Sequence, residues 1–434
     1  MAEFLTSNMG VNESGNLTVA GVDMVALAKE YGTPLYVMDE EMIRGVCRKF
    51  RDSIDRYYQG NGLVCYASKA FSCKEIYRIM KSEKIGIDAV SIGELYTAFS
   101  VDFPAEHICF HGNNKTEEEL RYAVEKNVGR IIVDNLTELE SLNRIAAEMN
   151  KKPGVMFRIK PGIDAHTHDF IRTGQIDSKF GFALETSEAM AAVKEALKLE
   201  HLELKGLHCH IGSQIFDIDP FEAAAEVMMK FMAQIKADTG LEIRELNLGG
   251  GFGIKYTQAD QPSDYDCYME RVSGVVKKLA EKLNLPVPFI YIEPGRSIVG
   301  AAGLTLYTVG GIKHIPNIRT YVSIDGGMTD NPRYALYQSR YEMAIANKAA
   351  QEKTQTVTVA GKCCESGDLL GEGIPIQPVE VGDTLAVFAT GAYNYSMSSN
   401  YNRVPKPAVV MLKDGASRIV VKRETLEDIV RNDL

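Results

Sequence analysis

A short apolar segment recurs eight times between residues 63 and 295, and each copy ends in a polar residue or glycine. The segments between the copies carry apolar residues three and four positions apart, which is typical of amphipathic helices. The eight runs are LVCYAS, IGIDAVS, HICFHG, RIIVDN, GVMFRIK, KGLHCHIG, ELNLGGG and FIYIEPG. A parallel (β/α)8 barrel needs eight such alternations, whereas an open doubly wound sheet seldom reaches that number. We therefore predict an α/β chain with a (β/α)8 TIM barrel over residues 37–300.

The pattern changes after about residue 300, where runs of β-branched and aromatic residues alternate with turn residues. The runs are LTLYTVGGIKHI, RTYVSIDGG, TQTVTVAGK, DTLAVFATGAY, AVVMLK and RIVVKRE. They predict a second, mostly antiparallel β domain, a β-sandwich or Greek-key-like barrel, formed by residues 1–36 and 301–434. The early strand TPLYVMD (33–39) could belong to either domain, and a helix is predicted over 41–58.

Length, charge and cysteine usage limit the classes of partner. At 434 residues the chain exceeds what one hydrophobic core usually serves, so two domains are expected. The formal net charge of -10, without a compensating run of Lys or Arg, argues against nucleic acid and anionic membrane as partners. The first residues lack a basic stretch followed by an apolar core, so we expect no signal peptide, and no apolar run reaches the roughly eighteen residues of a membrane span. Eight cysteines without a C-x-x-C pair suit reduced thiols, so we expect a cytoplasmic protein.

Chemically active residues collect where the predicted barrel strands end, and in this fold those ends surround one mouth. Lys69 follows the first strand, where a lysine either extends to solvent or serves as a desolvated amine. The glycine-rich run GGGFG (249–253) follows the seventh strand, the usual phosphate-binding position of the barrel, and leaves backbone N–H groups accessible to an anion. Glu293 ends the eighth strand, where a buried acid needs a cationic partner.

An amine, an anion cradle and a buried acid in one mouth predict pyridoxal 5'-phosphate as the cofactor. Lys69 would hold the cofactor as a Schiff base, and Glu293 would keep its ring nitrogen protonated so that the ring accepts electrons from a carbanion. His210 could lie flat against the ring or be an ordinary core histidine. His208 and His210 point the same way from one strand, so a metal held by this pair is a weaker alternative, and we predict no metal.

Six segments, in chain order, closely resemble the diaminopimelate decarboxylase family, whose members are alanine-racemase-like (type III) pyridoxal phosphate enzymes. The segments are YASKAF, HCHIGSQ, LNLGGGFG, IEPGRSIVG, CESGDLLG and GAYNYSMSSNYN. The resemblance runs from about Thr33 to Arg403 and covers nearly the whole chain. It implies that Lys69 forms the Schiff base, that His210 stacks on the ring, and that Glu293 is the partner of the ring nitrogen.

The same resemblance implies further cofactor contacts. The residues expected at the phosphate are Ser213, Gly249, Gly250, Gly251, Gly295, the backbone of Arg296, and Tyr393. Asp88, after the second strand, and Arg158, on the fifth, resemble the family's supporting polar shell.

Substrate recognition is implied by segments of the β domain. Cys364 matches the family's catalytic cysteine, and Glu365 matches the residue that meets the far amino group of the substrate; in this family both enter the site of the partner subunit of a homodimer. Arg296, Arg333, Tyr337 and Tyr393 are the other substrate-binding residues expected, and a guanidinium fork is well shaped for the distal carboxylate. Tyr334 departs from the pattern, because a proline often follows that arginine.

The resemblance implies decarboxylation of meso-2,6-diaminopimelate at its D-centre to L-lysine and carbon dioxide, with Cys364 or Lys69 delivering the proton. One alternative is an ornithine- or arginine-type decarboxylase, which would need no distal arginine. A second is a catalytically silent protein with the same fold that binds partners, which the presence of Lys69, Glu293 and Cys364 argues against. A third is a metal-dependent barrel hydrolase that uses His208 and His210.

Overall fold

The computed structural model describes residues 4–163 and 178–434, and the chain divides into two units. The barrel unit comprises Val46–Gly253 and Gln261–Gly295. The β unit comprises Met1–Gly45, Ile254–Asp260 and Arg296–Leu434. Among the described residues, no helix is long and apolar enough to cross a membrane.

Residues 37–45, 254–260 and 296–300 lie in the β unit, although we assigned all three segments to the barrel (37–300). The first segment contains the end of a strand that pairs with two strands of the β unit. The second contributes Ile254 and Tyr256 to the hydrophobic core of that unit. Local periodicity reveals a strand but does not reveal which sheet it joins, and this explains the difference.

The β unit begins with a small antiparallel sheet and a short helix. The elements are β1 (Met9–Val11), β2 (Leu17–Val19), β3 (Val22–Asp23), α1 (Met24–Tyr31) and β4 (Leu35–Asp39). The Asp23 side chain caps α1 by accepting the backbone N–H groups of Val25 and Ala26. The predicted helix over 41–58 is confirmed as α2 (Glu40–Tyr58).

Eight parallel strands close into the barrel, which confirms the predicted fold class. They are β5 (Gly62–Ala67), β6 (Gly86–Ala89), β7 (Ile108–Phe110), β8 (Arg130–Val133), β9 (Gly154–Lys160), β11 (Glu203–Cys209), β12 (Glu245–Asn247) and β13 (Phe289–Ile292). Each overlaps one of the eight predicted runs, and pairing of β13 with β5 completes the ring. A further short strand, β10 (Phe182–Ala183), pairs with β9 and was not predicted.

Helices alternate with the barrel strands. They are α3 (Lys74–Ser82), α4 (Ile92–Phe99), α5 (Glu117–Glu125), α6 (Leu136–Glu148), α7 (Glu188–Ala196), α8 (Asp219–Thr239) and α9 (Tyr265–Lys282). Side-chain caps fix where several of them begin: Ser91 and Asn135 each accept a backbone N–H of the first turn, and Thr116 forms a capping box with Glu119. These three helices begin soon after the preceding strands end, whereas the loops after β11 (to Asp219) and β12 (to Tyr265) are longer.

Apolar side chains fill the inside of the barrel. Cys65, Cys109, Ile132, Met156 and Tyr291 form one buried cluster from five different strands. The interior is therefore a packed core rather than a pore, and polar side chains of this unit gather at the ends of the strands.

The rest of the β unit is a mostly antiparallel sheet, as predicted. Its elements are α10 (Arg296–Val299), β14 (Gly303–Ile315), β15 (Arg319–Ile324), α11 (Arg333–Tyr337), β16 (Met343–Ile345), β17 (Gln355–Ala360), β18 (Leu369–Ile376), β19 (Thr384–Val387), β20 (Ala408–Lys413), β21 (Ala416–Val421) and α12 (Leu426–Val430). The long path of the sheet runs β18-β17-β15-β14-β4-β20-β21, with β19 joining β14 to β16. Among the described strands of this sheet, only the pairs β15–β17 and β4–β20 are parallel. Strands β16 and β18 were not predicted.

Strand β14 supplies both hydrophobic cores of this unit. Leu304 and Leu306 pack into one core with α1 and β20, whereas Tyr307 and Val309 pack into the other with β15 and β17. Successive side chains of a strand point to opposite faces, so the sheet is covered on both sides. This second core also contains Tyr256.

Candidate active site

Lys69 lies in a short 3-10 helix, Ser68–Ala70, directly after β5. Its side chain is exposed, whereas Ser68 and Ala70 on either side are buried. Its ammonium charge lowers the pKa of the half-buried His210 imidazole, in which burial is the larger cause. The predicted lysine is therefore an accessible amine next to the predicted ring-stacking histidine, and His210 is neutral.

Glu293 is a buried carboxylate that receives hydrogen bonds on both oxygens. His111 Nε2 lies 2.8 Å and Asn247 Nδ2 2.6 Å from Oε1, and His208 Nε2 lies 3.1 Å from Oε2. Burial alone would raise the pKa of Glu293, but His111 and His208 hold it well below its ordinary value. The acid is ionised, as the partner of a protonated ring nitrogen must be.

The pair of histidines that we considered as metal ligands, His208 and His210, does not form a cluster of possible ligands among the described residues. The residues whose ligand atoms lie within 4.8 Å of one another are His111, His208 and Glu293, and His210 is not among them. Burial lowers the pKa of His208 to about 4, so this imidazole is neutral. Both Nε2 atoms lie at hydrogen-bond distance from carboxylate oxygens, and this geometry places hydrogens between the groups rather than lone pairs aimed at an ion.

The glycine loop after β12 is packed against the neighbouring loops so closely that side chains do not fit. A Cβ on Gly249 would lie 2.5 Å from the carbonyl oxygen of Cys209, and one on Gly251 would lie 2.5 Å from that of Gly212. Both glycines have positive φ, 68° and 111°. Gly250 also donates its N–H to His210 Nδ1 at 3.4 Å, so the loop and the predicted ring-stacking histidine are held together.

The loops after β11 and β13 complete this cradle. Ile215 donates its N–H to the carbonyl oxygen of Gly251 at 2.9 Å, which fastens the segment containing Ser213 to the glycine loop. A Cβ on Gly295 would lie 2.8 Å from Cβ of Ala67, at the end of β5. Gly295 is therefore required where the chain passes the end of β5, directly before the 3-10 helix that holds Lys69.

Asp88 and Arg158 lie in the same mouth. Burial raises the pKa of the Asp88 carboxyl, and the positive charges of Lys69 and Arg158 oppose the rise. Asp88 Oδ1 is buried without a hydrogen-bond partner among the described residues, and His111 Nε2 is 3.7 Å away. The guanidinium carbon of Arg158 is 4.0 Å from the ring centroid of Phe180.

In the β unit the structure brings together Arg296, Arg333 and Tyr393, and adds two tyrosines. Arg296 Nη1 donates to the Tyr256 hydroxyl at 2.6 Å, and its guanidinium carbon is 4.8 Å from the ring centroid of Tyr393. Arg333 Nη1 donates to Tyr256 at 3.1 Å and to Tyr341 at 2.7 Å. We call these five residues the arginine cluster. Tyr337, the last residue of α11, is exposed.

Cys364 and Glu365 lie on an exposed turn of the β unit. Asp368 holds this turn, because its carboxylate accepts the backbone N–H groups of Met328 at 2.6 Å and of Cys363 at 2.7 Å. Burial raises the pKa of the Cys363 thiol to about 11, in keeping with a packing role. The exposed thiol in this pair is that of Cys364.

Sequence reasoning missed His111, Asn247, Tyr256 and Tyr341. His111 follows β7 and Asn247 ends β12, so the rule that found Lys69 and Glu293 at strand ends could have found them. No local signal marks Tyr256 or Tyr341, which resemble ordinary core tyrosines in the sequence.

The barrel and its polar mouth define a class, the pyridoxal-dependent decarboxylases: a family model described as pyridoxal-dependent decarboxylase, pyridoxal binding domain, matches residues 41–300. The diaminopimelate decarboxylase of Bacillus subtilis is 49% identical over 99% of this chain and 98% of its own. That of Bacillus methanolicus is 48% identical over 95% and 96%. A crystal structure of diaminopimelate decarboxylase from M. jannaschii in complex with L-lysine has a TM-score of 0.92 and 36% identity, over 99% of this chain and 98% of that one. The chain belongs to the diaminopimelate decarboxylase family.

The residues present fit the cofactor of this family, pyridoxal 5'-phosphate. The barrel mouth offers an accessible amine at Lys69 and an ionised acid at Glu293. It also offers a glycine cradle that excludes side chains, and a buried Asp88 oxygen that has no hydrogen-bond partner within the described part of the chain.

Proposed function

We propose that this protein decarboxylates meso-2,6-diaminopimelate at its D-centre and releases L-lysine and carbon dioxide, the last step of lysine biosynthesis. The observation that carries the proposal is the ionised, buried Glu293 beside the glycine cradle and the exposed Lys69. The substrate is supported by the Bacillus subtilis and Bacillus methanolicus relatives, which match the chain almost end to end and are named diaminopimelate decarboxylase, and by the bound L-lysine of the similar crystal structure.

In the barrel unit, the bound cofactor supplies an electron sink for the electron pair left on the substrate carbon when carbon dioxide departs. Lys69 Nζ holds the cofactor in place. The Glu293 carboxylate would keep a proton on the ring nitrogen, and the neutral His210 imidazole would cover the ring face. Backbone N–H groups of the cradle and Ser213 would bind the phosphate, and Tyr393 of the β unit is the further phosphate contact that we propose. Asp88 and Arg158 support this set.

In the β unit, Arg296 and Arg333 bind the distal carboxylate of the substrate, with Tyr337 beside them. Two buried guanidinium groups suit a carboxylate because each offers N–H donors in a planar fork. Glu365 binds the distal amine, and the Cys364 thiol delivers the final proton.

The proposal includes a homodimer in which Cys364 and Glu365 enter the partner's site. Both residues are exposed in the single chain, as groups that act on a neighbour must be. The eight cysteines are free thiols, which supports the further proposal of a cytoplasmic location.

Substrate choice is the direct test. Purified protein supplied with pyridoxal phosphate should release carbon dioxide from meso-diaminopimelate, and at least about a hundredfold more slowly from L-ornithine, L-arginine and L-lysine, which lack a second carboxylate. Preferred release from ornithine or arginine would show the basic amino acid decarboxylase instead. Cofactor binding without release from any of the four would show the silent binding protein.

A further inference from the structure

Tyr256 connects the two arginines that the proposed function assigns to the distal carboxylate. Its hydroxyl oxygen accepts one hydrogen bond from Arg296 Nη1, at 2.6 Å, and one from Arg333 Nη1, at 3.1 Å. All three residues are buried, with 7%, 7% and 8% of their surface exposed. A single phenol oxygen thus determines how far apart two buried guanidinium groups lie.

Charge makes this arrangement unusual. Two guanidinium groups repel each other, and in a buried place each ordinarily pairs with a carboxylate. Within the described part of the chain, Arg333 forms no ion pair with a carboxylate; its hydrogen bonds go to the hydroxyl groups of Tyr256 and Tyr341. Its guanidinium carbon also lies 5.2 Å from the ring centroid of Tyr256, and that of Arg296 lies 5.7 Å from the same centroid.

The tyrosine is itself held firmly. Its ring packs edge-on against that of Tyr341, with centroids 5.4 Å apart, and both belong to the second core of the β unit together with Ile254 and Val309. The Tyr341 hydroxyl also accepts a hydrogen bond from Arg333 Nη1, at 2.7 Å. The core therefore fixes the hydroxyl, and the hydroxyl fixes the two arginines.

We propose that Tyr256 is a positioning residue that sets the spacing of Arg296 and Arg333 so that both bind one carboxylate, and that it thereby favours substrates with a carboxylate at the far end. This inference rests on the proposed function. A neutral oxygen holds the two guanidinium groups in place without neutralising them, and arginines that are already ordered lose less freedom when the ligand binds.

Tyr256→Phe keeps the ring and removes the bridging oxygen. We expect KM for meso-diaminopimelate to rise roughly tenfold while kcat changes by less than about twofold, because the contact acts on binding. Competitive inhibition by L-lysine, which keeps the distal carboxylate, should weaken by the same factor, and inhibition by pentane-1,5-diamine, which lacks it, should not change. Tyr268→Phe is the matched control, since Tyr268 is a buried tyrosine of the barrel unit whose hydroxyl has no described partner.

A pH profile separates positioning from simple packing. Burial raises the pKa of Tyr256, but Arg296 and Arg333 bring it below its ordinary value. At alkaline pH the phenolate would compete for the arginines, so L-lysine should bind more weakly to the wild type, whereas Tyr256→Phe should lack this loss. Tyr341→Phe, which leaves the bridge intact, should raise KM less than Tyr256→Phe and provides a second variant should the first not fold.

The outcomes distinguish the two proposals. Suppose that the wild type acts on meso-diaminopimelate and that Tyr256→Phe has the same KM and the same affinity for L-lysine. This result overturns the role of Tyr256 and agrees with the proposed function. An equal loss of L-lysine and diamine binding also overturns it, because the defect then ignores the carboxylate. Failure of the wild type to act on meso-diaminopimelate overturns the function itself.

Discussion

At the scale of single residues, the site depends on groups whose ionisation is set by burial and by near neighbours. Glu293 stays charged because His111, His208 and Asn247 all donate to it. His208 stays neutral because it is only 1% exposed, and its Nε2–H serves that carboxylate. His208 thus donates a hydrogen bond to the Glu293 anion while its own pKa is lowered by burial.

This pairing predicts how stability depends on pH. The pKa of His208 is about 4 in the folded protein against 6.5 when unperturbed, so between these values the unfolded chain binds a proton that the folded chain does not. Stability is fully present above about pH 6.5 and falls as the pH drops towards 4, by about 3 kcal/mol in all. Glu293, whose pKa is lowered, adds to the loss in the same direction.

Thermal unfolding of the cofactor-free protein, followed between about pH 7.5 and 4.5, measures this slope. His208→Gln retains an amide donor towards Glu293 but has no titrating group, so it should show a shallower decline than the wild type. If Tm depends on pH equally in the two proteins, His208 does not have a lowered pKa in the folded state. His314→Gln is a suitable control, because His314 is an exposed histidine of the β unit.

At the scale of elements, the loops after β11, β12 and β13 form one interlocked unit. Each of the three glycines lies against a backbone carbonyl oxygen that a Cβ atom would overlap. The pairs are Gly249 with Cys209, Gly250 with Glu293, and Gly251 with Gly212. The glycines thus serve loop packing as well as access for an anion. The sequence predicted that an anion could approach the glycine backbone. It did not predict that the glycines let the loops pack closely, because that packing depends on loops about 40 residues away in the chain.

Gly250→Ala tests this unit. A Cβ there overlaps the backbone carbonyl of Glu293, so the loop must move, and we expect cofactor affinity to fall at least about tenfold with a lower Tm. The matched control is Gly274→Ala in the interior of α9, where a Cβ meets nothing within 4 Å and should raise stability by about 1 kcal/mol. Absorbance titration with pyridoxal phosphate measures the affinity. Wild-type affinity in Gly250→Ala would show that the cradle tolerates displacement.

At the scale of the whole molecule, the predicted catalytic groups are divided between two units. Lys69, Glu293 and the cradle belong to the barrel unit, and Arg333, Cys364 and Glu365 belong to the β unit. If the homodimer shares its sites, a defect in Lys69 and a defect in Cys364 on different chains leave one complete site in each mixed dimer.

Mixing Lys69→Ala with Cys364→Ala therefore should restore activity that neither variant has alone. Half of the dimers in an equal mixture are mixed, and each has one intact site, so about a quarter of wild-type activity is expected after subunit exchange. Steady-state release of carbon dioxide from meso-diaminopimelate is the measurement. Mixing Lys69→Ala with Glu293→Gln is the control, because both lie in the barrel unit and no complete site can form. Rescue absent from the first mixture, despite proven exchange, would place Cys364 in its own chain's site.

The sequence by itself determined the eight strands of the barrel, the amine at Lys69, the acid at Glu293 and the glycine run, because periodicity and residue type are local properties. Only the tertiary structure decided that His111, His208 and Asn247 converge on one carboxylate, and that Tyr256 joins two arginines. It also decided that β4 belongs to the second sheet. These contacts join residues 40 to more than 250 positions apart, and strand pairing and core packing, rather than any nearby pattern, bring such residues within hydrogen-bond distance.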